Sequence, residues 1–380
     1  MQKRMLALVL AGLLLAVPVR GAELELAAPS AILMEASTGT VLYEKNAHER
    51  LAPASVTKVM TLLLVMEALE SGRISWDDMV TASEQAAAKG GSQVYLEPGE
   101  QMTMEEMLKS VVVSSANDCA TALAEHVAGS EEAFVQQMNE RAAQLGMADT
   151  HFVNCTGLDD EPEAKDHLTS AYDLALVSRE LLRHDRIRDF TTIWMDTVRE
   201  GEFGLTNTNR LVRFYKGTTG LKTGYTSGAG HCLSASAQRD GVEYIAVVLH
   251  CGSSGERFQS ARQLLDYGFA NFAVAGTADS LEIPPVPVLL GTEETIQPVL
   301  QEPVRVVVDK GTKDRITTQV EVDPEVRAPV EQGQQLGTVT LRDGEKTIAS
   351  AALVAAEALG RRSWWDLTKE LLRTICFCAE

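Results

Sequence analysis

The order of helical and strand-like segments constrains this 380-residue chain more than any other feature of its sequence. Near the start, SAILMEASTGTVLYEKN predicts two short strands around a turn at Ser37–Gly39. Much later, GHCLSASAQRDGVEYIAVVLHCG predicts a second hairpin, because Asp240-Gly241 separates two alternating runs. Helical patterns fill the interval, and one more helix follows the hairpin. We therefore expect an α+β domain in which both ends of the chain build one antiparallel sheet, with a helical lobe inserted between them.

A second, β-rich domain is predicted further along the chain. The stretch AVAGTADS (Ala273–Ser280) is small and polar, which is typical of a linker. After it come short strand-like runs such as VRVVVD, ITTQVEV and GTVTLRDG, separated by Gly, Pro and Asp as in a small β-sandwich. The predicted boundaries are 22–275 for the first domain and 281–356 for the second.

The N-terminus has the layout of a secretory signal peptide. Lys3 and Arg4 precede a short apolar run that gives way to small residues. Cleavage after Gly21 is preferred, since cleavage one residue later would place Arg20 at the −3 position. We therefore predict residues 1–21 to be a signal peptide and the chain to be exported.

The C-terminal stretch GRRSWWDLTKELLRTICFCAE (360–380) predicts an amphipathic helix. Flanking arginines and paired tryptophans favour binding to a membrane interface. The alternative is a helix docked on the preceding domain. Its apolar residues fall at helical spacing on one face: Trp364, Leu367, Leu371, Ile375 and Cys378.

Composition narrows the classes of function. The formal net charge is −19, and −22 once the three basic residues of the signal are removed, which argues against a nucleic-acid-binding surface. Six cysteines are too few for a disulfide scaffold in a chain this long. Three of them lie in apolar runs and are expected to be small core residues: Cys119, Cys232 and Cys251.

The stretch APASVTKVMTLLLVMEALESG places a serine and a lysine at the front of an otherwise apolar helix. Ser55 and Lys58 are three residues apart, so a helix puts them on one face. Lysine is rarely buried unless it is paired or functional, and a desolvated amine loses its proton more easily. Lys58 could then take the proton of the Ser55 hydroxyl. The alternatives are a chance match, or a serine that caps the helix.

A second polar motif, Ser115-Ala116-Asn117, lies between two apolar helical runs. One interpretation is a solvated connection in which Asn117 or Asp118 caps the next helix. The other is an active-site element, in which Ser115 passes a proton to a leaving amine and the Asn117 amide holds a substrate carbonyl.

A third motif, Lys222-Thr223-Gly224, opens the strand-rich second half of the first domain. Gly224 has no side chain, so a substrate backbone could approach the strand closely. Lys222 and Thr223 offer a positive charge and a hydroxyl, both suited to a carboxylate. The alternative is a strand edge protected against aggregation by its lysine.

These three motifs occur in the order found in penicillin-binding proteins and class A β-lactamases. With GSQVYLEPGE, DTHFVNCTGLDD, LTSAYDLA and GLKTGYTSGAG, they make the chain resemble the low-molecular-mass penicillin-binding proteins, the serine-type D-Ala-D-Ala carboxypeptidases. The resemblance covers nearly the whole mature chain, including the β domain and the terminal helix. It implies a β-lactamase/transpeptidase-like catalytic domain, no cofactor or metal, and a position at the outer face of the cytoplasmic membrane or in the cell-wall space.

The resemblance also implies a role for each matching residue. Ser55 would attack the carbonyl of the penultimate D-alanine of a peptidoglycan stem peptide, with Lys58 as general base and Ser115 as proton relay. β-Lactams would acylate the same serine. Backbone N–H groups of Ser55 and Tyr225 would hold the oxyanion. Lys222, Thr223 and Arg257 would meet the terminal carboxylate. The full set of substrate-binding residues would be Asn117, Lys222, Thr223, Gly224, Tyr225 and Arg257.

The chain departs from the family pattern at two positions. Ala116 stands where the family often has glycine, and Tyr225 stands where some relatives carry histidine. Because the proposed oxyanion contact uses the backbone, we expect little loss from Tyr225, although its side chain could narrow the substrate range.

Other functions fit the sequence less well. A class A β-lactamase would need a deacylating glutamate, and the helical lobe contains no Glu-x-x-Leu-Asn pattern. A zinc peptidase would need clustered ligands, but the seven histidines are scattered. A Gly-x-Ser-x-Gly hydrolase motif is absent. Transpeptidation remains open because acceptor choice is not visible in sequence. A non-catalytic wall-binding protein would be expected to lose Ser55, Lys58 or Lys222.

Overall fold

A computed structural model describes residues 24–160, 162–277, 281–365 and 368–369. The predicted signal peptide lies outside these residues, and so does most of the predicted C-terminal helix. Ten strands belong to the first three quarters of the chain: Ser30–Glu35 (β1), Val41–Lys45 (β2), Met79–Thr81 (β3), Gln101–Thr103 (β4), Met195–Val198 (β5), Phe203–Thr206 (β6), Thr218–Thr226 (β7), Gly230–Arg239 (β8), Val242–Cys251 (β9) and Phe272–Gly276 (β10). The α-helices are Lys58–Glu70 (α1), Glu84–Ala87 (α2), Met104–Val113 (α3), Asn117–Ala128 (α4), Glu131–Gln144 (α5), Ala171–Leu181 (α6), Ile187–Thr191 (α7), Leu211–Phe214 (α8) and Ser254–Asn271 (α9).

One antiparallel sheet with strand order β2-β1-β9-β8-β7 organises this domain. Strand β1 pairs with β9, so the first and last parts of the domain are neighbours in the sheet, as the sequence predicted. Alternate residues of β1 face opposite sides. Ile32 and Met34 pack into the core of the helical lobe, whereas Ala31 and Leu33 pack on the side covered by α9. The sheet is therefore buried on both faces. Strand β7 lies at one of its two edges.

Local sequence signals explain where several elements begin and end. Thr103 and Glu106 form the capping box of α3, and the Ser130 side chain caps α5. The β8–β9 turn uses positive φ at Asp240 and Gly241, the backbone conformation of a tight hairpin. These turns and caps fix the lengths of the elements that carry the site.

The C-terminal part of the chain forms the predicted β domain. Its strands build a four-stranded sheet of order β13-β18-β17-β15 and a three-stranded sheet of order β12-β11-β16. A small apolar core that includes Val286, Val288 and Leu336 holds the domain together. The strands are Val286–Leu289 (β11), Thr295–Ile296 (β12), Pro298–Leu300 (β13), Arg305–Asp309 (β14), Ile316–Val322 (β15), Val326–Arg327 (β16), Gln335–Asp343 (β17) and Lys346–Ala355 (β18).

The predicted linker Ala273–Ser280 is wrong in its first half. Residues 272–276 form β10, which pairs antiparallel with β14 from Phe272–Asp309 to Gly276–Arg305. Small residues suit this strand because Ala273 and Ala275 are buried. Only the short stretch after Gly276 is left as a connection between the two domains. The pairing of β10 with β14 joins the β domain to the end of α9.

Among the described residues, no helix is long and apolar enough to cross a membrane. The described residues also contain no group of three or more His, Cys, Asp or Glu side chains that could hold a metal ion. The three cysteines predicted to be small core residues are buried and unpaired, and so is Cys155.

Candidate active site

Ser55, the predicted nucleophile, lies in a 3-10 helix, Ala54–Thr57, that runs directly into α1 and is called the nucleophile turn below. Ser55 lies inside this turn with no capping bond, while Pro53 occupies the N-cap, so the interpretation of Ser55 as a cap is wrong. The Lys58 ammonium donates to Ser55 Oγ at 2.9 Å. Ser55 is half-buried and Lys58 is fully buried. The Ser55 hydroxyl is therefore accessible from outside the protein, whereas the Lys58 amine that donates to it is not accessible to solvent.

Lys58 is held by three acceptors from three parts of the chain. Besides Ser55 Oγ, its Nζ donates to Asn117 Oδ1 at 2.5 Å and to the Thr156 carbonyl at 2.8 Å. Burial lowers the pKa of Lys58 from 10.5 to about 7, although the Asp118 carboxylate opposes this shift. Near neutral pH a large fraction of the amine is therefore unprotonated. Such an amine is a base held within hydrogen-bond reach of the Ser55 proton.

Ser115 and Asn117 lie where α3 gives way to α4. Ser115 has a left-handed backbone (φ 65°), which sharpens the turn between the helices. Asn117 bridges two elements, because its Oδ1 accepts from Lys58 and its Nδ2 donates to the Gly90 carbonyl at 2.7 Å. The motif is therefore joined to the Ser55–Lys58 pair and is not a solvated connection. The role of Asn117 in holding substrate stays a prediction.

The N-cap alternative for this motif is also wrong. The N-cap position of α4 is Ala116, and no side chain caps it. The buried Asp118 carboxylate instead accepts from the backbone N–H groups of Val94 and Leu96, each at 3.1 Å. Asp118 thus anchors the segment that runs alongside Asn117, whose own N–H donates to the Ser92 carbonyl.

Lys222 is buried although it stands on the edge strand β7. It is 1% exposed and donates to the Thr223 carbonyl at 3.1 Å. The interpretation of Lys222 as an exposed lysine protecting a strand edge is therefore wrong. Burial lowers the pKa of Lys222 well below its usual value, and the charges of Lys58 and Arg257 act in the same direction.

Glycine is needed at position 224 for a second reason, in addition to the predicted close approach of a substrate backbone. A Cβ at this position would come within 2.6 Å of the Pro53 carbonyl oxygen and 3.0 Å of the backbone nitrogens of Ser55 and Val56. The strand and the nucleophile turn therefore pack backbone to backbone, which only glycine permits. This contact sets the distance between Ser55 and β7.

Arg257 and two threonines come together beside β7 from distant parts of the sequence. Arg257 is 7% exposed, and its Nη1 donates to the Gly224 carbonyl at 3.0 Å and the Cys232 carbonyl at 3.3 Å. The described contacts of Arg257 include no carboxylate. Thr223 Oγ1 donates to Thr208 Oγ1 at 2.7 Å. Two hydroxyls and an uncompensated guanidinium thus lie along one edge strand.

Thr208 was missed by sequence reasoning. Its N–H donates to the Val113 carbonyl at 3.1 Å, so it connects the end of α3 to β7. The local signal was the Asn-Thr-Asn turn, in which Asn207 Oδ1 accepts from the Asn209 N–H and Asn209 Nδ2 donates to the Gly220 carbonyl. Such a sequence predicts a rigid turn, but it does not predict which distant residues the turn contacts.

Tyr225 directly follows Gly224 on the edge strand β7. Its side chain is 60% exposed, and its ring stacks on that of His231 at 4.3 Å between centroids. This position agrees with a side chain that could narrow the substrate range. The use of its backbone N–H as an oxyanion donor stays a prediction.

The electrostatics of the site contrast with those of the whole chain. Lys58, Lys222 and Arg257 are all buried in a chain of formal charge −19. Lys222 and Arg257 are within electrostatic reach of each other, and no carboxylate contributes to the pKa of either. Buried cations without acidic partners are costly, so the arrangement favours an anionic ligand.

The pKa of Lys58 predicts the pH dependence of acylation. If Lys58 is the base, as predicted, it must be unprotonated to act, so the rate of Ser55 acylation by a β-lactam should rise with pH, with a midpoint near the Lys58 pKa of about 7. Stopped-flow acylation between pH 5 and pH 9 measures this. A rate that is flat across the range, or that falls with rising pH, would contradict the assignment of Lys58 as the base.

A sheet with an inserted helical lobe, and a serine–lysine pair at their junction, define a serine hydrolase. A family profile described as D-alanyl-D-alanine carboxypeptidase matches residues 18–253, and one described as penicillin-binding protein 5, C-terminal domain, matches residues 279–361. The chain belongs to the D-alanyl-D-alanine carboxypeptidase family. The predicted family, catalytic and β-domain folds and enzyme class are thereby confirmed, and neither the β-lactamase nor the wall-binding alternative is favoured.

Individual relatives agree with this assignment. The chain is 40% identical over 358 residues to the D-alanyl-D-alanine carboxypeptidase DacF of Bacillus subtilis (strain 168), covering 93% of this chain and 91% of that protein. Penicillin-binding protein 5 from Haemophilus influenzae matches with a TM-score of 0.77 at 30% identity, over 90% of this chain and 100% of that one. Ampicillin-bound penicillin-binding protein D2 from Listeria monocytogenes matches with a TM-score of 0.59 at 31% identity, over 65% of this chain and 100% of that one.

Proposed function

We propose that this enzyme removes the terminal D-alanine from peptidoglycan stem pentapeptides through an acyl-enzyme on Ser55. The observation that carries the proposal is the 2.9 Å contact between Ser55 Oγ and a fully buried Lys58. No other hydroxyl among the described residues has a buried lysine amine of lowered pKa as its hydrogen-bond donor.

The reaction would follow from this geometry in two stages. Neutral Lys58 takes the Ser55 proton while Oγ attacks the carbonyl of the penultimate D-alanine. Backbone N–H groups of Ser55 and Tyr225 hold the oxyanion, each donor worth about 3–4 kcal/mol of barrier. The proton passes through Ser115 to the leaving nitrogen, the C–N bond breaks, and D-alanine departs. Water then hydrolyses the ester.

β-Lactams would enter the same first stage. Their amide is part of a ring, so the leaving nitrogen stays attached after the C–N bond breaks and blocks the approach of water. The ampicillin-bound form of the relative from Listeria supports the binding of a β-lactam by this enzyme. The inhibited form would be a stable ester on Ser55.

Recognition of the substrate carboxylate is assigned to Lys222, Thr223 and Arg257. A peptide ending in a C-terminal amide lacks the anion that these groups would pair with. We expect its kcat/KM to be about 10²- to 10³-fold below that of the matching acid, because an unpaired buried charge is left in the complex. Release of D-alanine or D-alaninamide from the two peptides measures this ratio.

Two arginines on one helix provide a matched comparison for that ratio. Arg257→Ala should shrink the preference for acid over amide, since the discriminating charge is gone. Arg262→Ala, a change at an exposed arginine of α9, should leave the preference intact. Equal hydrolysis of acid and amide by the parent enzyme would contradict the proposed carboxylate pocket.

We also assign the enzyme to the outer face of the cytoplasmic membrane, exported by residues 1–21 and held by residues 360–380. Trp364 and Trp365 are 86% and 74% exposed, which supports a surface that lies in a membrane interface. The mature chain should co-sediment with vesicles containing anionic lipid, because the segment combines paired tryptophans with four basic residues.

Truncation after residue 362, which keeps the buried Leu359 in the β-domain core, tests the anchor, and Trp364→Ser with Trp365→Ser tests its apolar contribution. Both proteins should stay in the supernatant while hydrolysing a soluble peptide at the parent rate. Co-sedimentation of the truncated protein would assign membrane binding to another part of the chain.

A further inference from the structure

The residue before the nucleophile has an unusual backbone. Ala54 has φ 48°, a left-handed backbone conformation that residues other than glycine rarely adopt. Such a conformation persists only where surrounding contacts enforce it. Its direct consequence is the direction in which the next residue, Ser55, leaves the turn.

Two contacts enforce the backbone at Ala54. Thr57 Oγ1 donates to the Ala54 carbonyl at 2.8 Å. The same carbonyl lies so close to Gly157 that a Cβ there would be 1.9 Å from the oxygen. The Ala54 carbonyl is therefore confined between a hydroxyl of its own turn and the backbone of the segment 151–168.

The Thr57 hydroxyl is itself fixed by His167, more than a hundred residues away. His167 Nε2 lies 2.7 Å from Thr57 Oγ1. A hydroxyl has one hydrogen, and a carbonyl can only accept, so Thr57 donates to Ala54 and accepts from His167. The Val153 N–H donates to His167 Nδ1 at 3.0 Å. Both contacts require the same neutral tautomer, with the proton on Nε2.

The surroundings of His167 preserve that tautomer. The side chain is 3% exposed, and its ring packs edge-on against Phe152 at 5.7 Å between centroids. Burial lowers the pKa of His167 to about 4, and the charges of His151 and Lys58 act in the same direction. No carboxylate contributes to this pKa, so the ring stays neutral throughout the range in which Lys58 titrates.

We propose that His167 is a positioning residue for the nucleophile, acting through the Thr57 hydroxyl on the Ala54 carbonyl to fix the orientation of Ser55. The segment that carries His167 also supplies the Thr156 carbonyl to Lys58. One docked segment thus aligns both the nucleophile and its base. This inference rests on the proposed assignment of Ser55 as nucleophile.

Paired variants at Thr57 test the hydroxyl directly. Thr57→Val keeps the shape of the side chain and removes the hydroxyl. We expect its rates of acylation by benzylpenicillin and of D-alanine release to fall about 10- to 100-fold, because small misplacements of reacting groups have effects of that size. KM should change by less than about threefold, since substrate contacts are untouched. Thr57→Ser keeps the hydroxyl and should restore the rates.

Variants at His167 test the other end of the chain of hydrogen bonds. His167→Gln offers one donor and one acceptor and should retain most of the activity, whereas His167→Leu should behave like Thr57→Val. Thr61→Val is the matched control. Thr61 is buried one turn later on α1 and donates to the Cys155 carbonyl of the same segment. Its loss should leave the acylation rate unchanged.

Three results would overturn the inference. One is a folded Thr57→Val enzyme that acylates at the parent rate. The others are a Thr57→Ser or Thr61→Val enzyme as slow as Thr57→Val, since either would assign the effect to packing or to general docking of the segment. If Thr57→Val fails to fold, equal rates for His167→Gln and His167→Leu decide against the inference in the same way. A parent enzyme that is not acylated at Ser55 contradicts the proposed function instead.

Discussion

Replacing Lys58 by methionine is expected to lower the rates of β-lactam acylation and D-alanine release by about 10³-fold or more. Methionine has a similar length and no amine, so Ser55 would keep its position and lose its base. The same change removes the donor to Asn117 and Thr156. Acylation followed by mass spectrometry, with circular dichroism to check folding, measures the effect.

The control for this change is Lys109→Met. Lys109 lies on α3 in the same helical lobe and pairs with Asp196 at 2.9 Å, outside the described contacts of Ser55. We expect its acylation rate to equal that of the parent. A folded Lys58→Met enzyme whose acylation rate is less than about tenfold below the parent rate would exclude Lys58 as the principal base. A tenfold change is the effect that corresponds to about one pKa unit.

Gly224→Ala is expected to lower kcat by about 10²-fold, although it adds only one methyl group. The new Cβ would meet backbone atoms of Pro53, Ser55 and Val56 at 2.6–3.0 Å. Backbone cannot swing away as a flexible side chain can, so the nucleophile turn and β7 must separate. That separation would move the Ser55 N–H away from the position of the oxyanion.

Gly204→Ala provides the control on a strand of a different sheet, the one formed by β5 and β6. Gly204 lies on β6, and a Cβ there has nothing within 4 Å. Its kcat and KM should equal the parent values. If Gly224→Ala raised KM alone and left kcat unchanged, the glycine would serve substrate approach only, as the sequence first suggested, and the backbone contact would have no catalytic consequence.

Local parts of the site were predictable because helix geometry is local. Ser55 and Lys58 are three residues apart, and that spacing predicted the contact between them that the structure shows at 2.9 Å. The pairing of the first strand with the last hairpin followed from the apolar patterns. The order of the three motifs then identified the family, which the comparisons confirmed.

Contacts between distant residues were not predictable from one sequence. Asn117 meets Lys58 across 59 positions, and His167 meets Thr57 across 110. No local pattern in either segment specifies such a partner. The short strand β10 was mistaken for a linker for the same reason, since its small residues are explained only by pairing with β14.

Release of D-alanine from a peptide ending in Lys-D-Ala-D-Ala, by the parent and by Ser55→Ala, tests the central claim most directly. The soluble protein would span residues 22–362, because Leu359 belongs to the core of the β domain. The account predicts release by the parent, a trapped acyl-enzyme on the peptide that contains Ser55, and a fall on the order of 10⁴- to 10⁶-fold in the variant. Comparable release by a folded Ser55→Ala enzyme would contradict the account, because the catalytic serine would then lie elsewhere.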